Sequence, residues 1–361
     1  MSAVRIAALL AGLCVAWVAC ADAQDVPPPA AQAPALEAEL DRAFADYAQR
    51  AIKTLAASDS ARERWVAGLM LLGDAARAAD SMEQATALRT RAHGLFDAAL
   101  QDGADDPVLL VWAALDPPTR EEISDADLAA ARLKLLVRLQ TLEPDNAVPW
   151  VAMLPDRGQP GTIPEAMELL QKAAQAHRFD THFSASMRML IQAYDQVPLP
   201  EHWPDTSGEA AWAQTGREDL PVLMAVGVAS ALAMPYLETL SSWCTETDGQ
   251  PWREACASIA QTMVSDSDSM VARSLGVSLQ TRLAAADSPA HSEALALRRQ
   301  LAWEVEMGLQ HVGPGQPVSF AQWRQAWDMP AANELTVARA LLKLQQLPPE
   351  PPADYAPAWD R

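Results

Sequence analysis

Apolar residues in this chain recur every three or four positions and almost nowhere alternate. Trp65, Leu69, Leu72 and Ala76 follow one another at spacings of four, three and four. Leu128, Leu135, Leu139 and Leu142 hold one face of a helix, as do Phe183, Met187, Leu190, Ile191 and Tyr194. A 3.6-residue period aligns such positions on one side of a helix, whereas a half-buried strand needs a period of two. β-Branched clusters are scarce as well, so the expectation is an all-α fold. The 361 residues, half of them apolar, are enough for one large helical core or two ordinary ones.

The helices repeat. "DDPVLLVWAAL" from Asp105 and "PDNAVPWVAML" from Pro144 look alike, and their Trp112 and Trp150 lie 38 positions apart. Each follows a helical stretch, "LFDAALQ" or "LVRLQTLE", and "IPEAMELLQKAAQAHRFD" then "THFSASMRMLIQAY" continue the series. From Ala61 to Tyr194 this resembles tetratricopeptide-like hairpins, in which "LEPDNAVPW" is the turn from one repeat into the next. The 34-residue period of that family is not kept, nor are the usual Gly and Tyr of its first helix. The resemblance implies an α-solenoid whose hairpins bury their apolar faces by stacking on neighbours. The overall pattern also resembles exported proteins of Gram-negative bacteria, which brings no activity with it.

Five segments are expected. Arg5, the apolar run Ile6–Ala19 and the small residues of "VACADAQ" make residues 1–23 a signal peptide. Cys20 is the alternative acylation point if "WVAC" is processed as a lipobox. "VPPPAAQAPA" lies in a linker at 24–35, followed by degenerate repeats over 36–200. "EHWPDTSG" then separates a C-terminal helical array at 201–346, with a long helix from Glu209 to Trp243 and a break near Pro330. "LPPEPPADYAPAWDR" ends the chain as a Pro-rich tail, 347–361. The uncharged run Leu220–Leu237 is interrupted by Pro221, Gly227 and Pro235 and lacks basic flanks, so it reads as a buried core helix.

A formal net charge of -20 repels phosphate backbones and anionic headgroups, which excludes nucleic acid as a partner class. No H-E-x-x-H, nucleophile elbow or phosphate-cradling glycine loop is present. His177, Asp180 and His182 are close in "HRFDTHF" but lack a further ligand in sequence, and read as exposed turn residues. Asp266 and Asp268 in "SDSDS" lack a calcium loop's glycine and its terminal Glu, so they read as caps for a helix starting near Ser269. No catalytic residue, cofactor or metal ligand is assigned.

Two features remain. Phe320, Trp323 and Trp327 form an aromatic stripe that either packs in the core or anchors a peptide on a concave repeat face. Cys244 and Cys256 are the pair left once the leader is removed. Zinc would need more ligands, and redox catalysis favours C-x-x-C. With a turn, "TETDGQP", between two antiparallel helices, the pair reads as a structural disulfide. Together these readings suggest a periplasmic, non-enzymatic module that binds a protein or peptide in the cell envelope. It would touch a membrane only through a lipid on Cys20. The competing class is a peptidoglycan-acting hydrolase without a local motif.

Overall fold

The computed structural model describes residues 33–78, 81–115, 124–157, 162–204, 216–230, 234–245, 251–309, 311–313 and 316–357. The expected signal peptide, with Cys14 and Cys20, lies outside them. Among the described residues the chain is all-α, with helices packed on their neighbours as in a helical-repeat array. In order these are α1 (Ala33–Ala56), α2 (Ala61–Arg77), α3 (Met82–Asp102), α4 (Pro107–Leu115) and α5 (Asp125–Leu142). There follow α6 (Val148–Ala152), α7 (Ile163–Gln175), α8 (Phe183–Asp195), α9 (Leu220–Ser230) and α10 (Pro235–Thr245). The series ends with α11 (Arg253–Asp266), α12 (Met270–Leu283), α13 (Pro289–Trp303), α14 (Phe320–Trp327) and α15 (Glu334–Leu344). A π-helical segment, Glu304–Leu309, extends α13.

Local chemistry sets the starts. Ser60, Ser124 and Ser288 accept from the backbone N–H three residues on, at 3.4, 3.2 and 3.2 Å. Asn333 and Thr336 close a capping box at 3.0 and 2.9 Å. Each such cap is worth about 1 kcal/mol. Two expectations are corrected here. Helix α1 begins at Ala33, inside the expected linker, because Pro34 is acceptable in a first turn. The single helix from Glu209 to Trp243 is instead α9 and α10, the latter opening on Pro235, whose missing N–H suits a helix start and not an interior. No single helix among the described residues is long and apolar enough to cross a membrane.

Contacts gather the chain into two units, each of which draws on residues either side of position 201. The first comprises 1–104, 186–231 and 310–325. Its core holds Trp65 against Phe96, ring centroids 4.5 Å apart, with Gly68 beneath: a Cβ there would lie 2.5 Å from the phenyl ring. The buried Tyr47 hydroxyl donates to the Tyr194 carbonyl at 3.0 Å.

The second unit comprises 105–185, 232–309 and 326–361. Here α11 pairs with α12, α12 with α13, and α10 rests on α12 and α6. Glycines allow two of these approaches. A Cβ on Gly276 would fall 2.8 Å from that of Met263, and one on Gly308 would fall 2.7 Å from the Ala338 carbonyl oxygen. Cys244 and Cys256 form a disulfide, Cα atoms 5.5 Å apart, that ties α10 to α11. Trp243 and Trp252 brace it edge to face at 5.4 Å; their indoles donate to the carbonyls of Pro155 at 2.8 Å and Trp243 at 3.0 Å. Reduction should lower unfolding free energy by about 2–3 kcal/mol, read from denaturant midpoints with and without reductant. Two alkylatable thiols in the unreduced, unfolded chain would show that the bridge does not form.

Candidate functional site

The repeated turns seen in sequence share one local device. In each, a short polar side chain accepts from the backbone N–H two residues on: Asp106 from Val108 at 3.0 Å, Asn146 from Val148 at 3.1 Å, Asp180 from His182 at 2.9 Å and Ser267 from Ser269 at 3.3 Å. Asp, Asn and Ser suit such turns because their side chains are short enough to bond the adjacent backbone. Three of the turns also lie side by side. Asn146 bridges Arg178, and Phe179 bridges Ser267, as isolated parallel pairs.

Where they meet, the helix entries are capped from a distance. The N–H groups of Thr181 and Ser184, at the start of α8, donate to the Asp268 carboxylate at 2.7 and 2.9 Å across 87 and 84 residues. The Thr181 hydroxyl joins them at 2.7 Å. The N–H of Met270, opening α12, donates to Glu334 at 2.6 Å across 64 residues. Asn146, fully buried, accepts from the N–H of Asp180 at 3.0 Å and donates to its carbonyl at 2.9 Å. Helix N-termini carry unpaired N–H groups and a positive dipole end, and a carboxylate satisfies both. Asp268 therefore does cap a helix, though not its own. Ser269 stands at the N-cap of α12, yet its side chain makes no capping bond.

Beside these caps lies an ion-pair cluster. His182 Nε2 meets Glu143 at 2.8 Å, Asn146 donates to the same Glu143 oxygen at 3.1 Å, and Arg178 approaches Asp180 at 3.6 Å and Glu143 at 3.9 Å. His182 is 5 % exposed, which corrects its reading as an exposed turn residue; His177 is exposed and takes no part. The backbone at His182 is left-handed, φ 59°, a conformation few residues other than glycine adopt. Sequence spacing missed Glu143, which comes from the turn 39 residues earlier.

Burial opposes a charged His182, but its hydrogen bond with Glu143 and the fields of Asp180, Glu143 and Asp268 outweigh that and hold its pKa above the usual histidine value. Burial likewise opposes ionised Glu143, yet His182, Asn146 and Arg178 bring its pKa below the ordinary carboxylate value. Asp268 is pushed up by burial and by Asp180, against the pull of its donors. Glu334 is pushed up to about 7 by burial, with the Asp268 charge adding to it and the Met270 N–H opposing. Burial chiefly, with the charges of Asp268 and Asp180, also raises the Tyr236 phenol.

Glu143, Asp180 and His182 place three ligand atoms within 4.8 Å of one another, the separation a metal ion would use. Their electron pairs are already engaged, however, and Arg178 puts a cation beside two of the three. A divalent ion would have to displace both the histidine pairing and the guanidinium. The chemistry of this cluster is that of holding turns together.

The other named residues are placed as follows. Trp323 and Trp327 are buried at 7 and 2 % exposure and Phe320 is half-buried, so the stripe packs inward and offers no open aromatic face. An apolar groove opens elsewhere: a cavity of about 440 Å³ between α10 and α12, lined by Leu237, Glu238, Ser241, Ser242, Val271 and Leu275. Val271 is 57 % exposed on its rim. No known family model, curated protein or solved structure matches this chain.

Proposed function

We propose that this chain is an exported, non-enzymatic binding module of the cell envelope, built from tetratricopeptide-like hairpins, that takes a protein or peptide partner on its helix faces. The observation that carries the reading is the groove between α10 and α12. Leu237, Val271 and Leu275 line it with hydrocarbon, and Val271 leaves more than half its surface to water. Exposed apolar concavities on otherwise charged surfaces mark interaction sites. Glu238 at the edge and a net charge of -20 favour a segment with an apolar anchor and basic flanks. The disulfide ties down the end of α10, the helix supplying four of the six lining residues, and so holds the groove in shape.

The test is site-specific photocrosslinking in the exported protein, with the reactive group at position 271 and a control at Leu133, 47 % exposed on α5. A discrete adduct at 271, absent at 133 and lost on Leu275→Asp, supports the reading. Equal labelling at both positions, or adducts indifferent to Leu275→Asp, rejects it.

A further inference from the structure

Residues 347–357 of the Pro-rich tail do not trail away from the second unit. They lie across the end of α13 and the π-helical segment, and side chains of that surface grip their main chain. The Trp303 indole donates to the Pro348 carbonyl at 3.0 Å, and Gln300 donates to that of Pro349 at 2.7 Å. Arg299 donates to the carbonyl of Pro352 and, at 3.0 Å, to that of Tyr355. The Tyr355 ring stands edge-on to Trp303, centroids 5.1 Å apart, and its hydroxyl donates to Glu306 at 2.9 Å.

The mode of contact defines what this surface reads. Pro348, Pro349 and Pro352 are exposed, so their rings contribute little, and the donors address carbonyl oxygens that any residue supplies. Proline's role is to withhold N–H groups that would otherwise pair those carbonyls and to restrict the backbone before binding, which lowers the entropy lost on docking; a single turn, closed by the Tyr355 N–H on the Pro352 carbonyl at 3.0 Å, shapes the segment. An aromatic surface whose indole N–H bonds a proline-rich main chain is a recurrent way of recognising polyproline segments. Tyr355 adds an aromatic side-chain anchor, and Pro357 beyond it is buried. Held by surface hydrogen bonds, the Tyr355 ring and the buried Pro357, the tail is a ligand that can be exchanged.

We infer that the surface formed by Arg299, Gln300, Trp303 and Glu306 is a recognition site for proline-rich segments carrying an aromatic anchor, occupied in cis by the chain's own tail and open to such a segment of another protein when the tail leaves. It is distinct from the groove at Val271 and stands or falls without it. Tethering gives the cis copy an effective concentration of about millimolar, so a competitor meets a strong block in the intact chain. The site would thus be filled by default and engaged only by a tighter or multivalent ligand.

The experiment uses the full chain and a fluorescent peptide with the sequence of residues 346–357. Tyr355→Ala in the protein removes the anchor of the cis copy while leaving the receiving surface intact. Anisotropy should show the variant binding the peptide at least tenfold more tightly than the parent. Adding Arg299→Ala to that variant should abolish the gain, while a peptide with its prolines changed to alanine should bind at least tenfold more weakly. Equal affinity of parent and Tyr355→Ala, or binding indifferent to Arg299, overturns the proposal. A parent that dimerises with rising concentration through Tyr355 while the variants take up no peptide would give the surface to the tail of a second copy, and also overturns it.

Discussion

His182→Ala should lower the unfolding free energy by about 3 kcal/mol near pH 6, because it leaves Glu143 charged, buried and short of its strongest partner. The left-handed backbone adds nothing to this difference, since His182 bears the same steric penalty as alanine would. The pH dependence identifies the cause. Glu143 has a folded pKa below its ordinary 4.5, so its contribution is present above that value and lost as pH falls through the depressed one. His182 has a folded pKa above 6.5, so its contribution is complete below 6.5 and fades as pH rises through the elevated one. The gap between parent and variant should therefore be widest between about pH 4.5 and 6.5 and shrink on both sides. Denaturant unfolding across pH 3–9 reads it directly. A gap constant over that range would mean that lost packing, and not the ion pair, sets the effect.

Glu334→Gln should act in the opposite direction and strengthen the fold at pH 8 by about 3 kcal/mol, the equivalent of a shift from 4.5 to about 7. Glutamine keeps a carbonyl oxygen for the Met270 N–H, so the cap on α12 survives while the buried charge does not. The folded chain holds the Glu334 proton up to about pH 7, whereas the unfolded chain releases it near 4.5. Folding accordingly takes up a proton between these values, and stability falls as pH rises through them. Parent and variant should thus coincide below pH 4.5, diverge up to pH 7 and run parallel beyond. Loss of stability in the variant at pH 8 would show that the carboxylate is ionised and that α12 depends on its charge.

The elements were legible because each is decided locally. The 3.6-residue pattern, the serine caps, the break near Pro330 and the close spacing of Cys244 and Cys256 all depend on neighbours in sequence. The site was legible only in its parts. "PDNA", "RFDTH" and "SDSDS" look like unrelated turns on paper, and nothing within a few residues says that Asp268 serves α8 or that Glu334 serves α12. Those pairings span 64 to 87 residues and exist only because the hairpins stack in register. The aromatic stripe stayed open between core and binding face for a related reason. Helical spacing places Phe320, Trp323 and Trp327 on one face but does not say whether that face meets water or another helix, and it meets the core. The tail shows the same limit. Its prolines announce a chain that cannot be helical throughout, while the surface that receives it is assembled about fifty residues upstream.

Capping at a distance has a consequence for how such a chain can change over evolutionary time. Ordinary helical repeats can be gained or lost like beads, since each carries its own helix ends. Here the start of α8 borrows its acceptor from the turn before α12, and the start of α12 borrows from the first turn of α15. Excising α15 would strand an N–H group on an otherwise intact helix three helices upstream. Inserting a hairpin between lender and borrower would part them by the width of a helix pair. The second unit is therefore locked in its number of hairpins, free to drift in its outward residues but closed to the duplication and trimming by which solenoids usually grow.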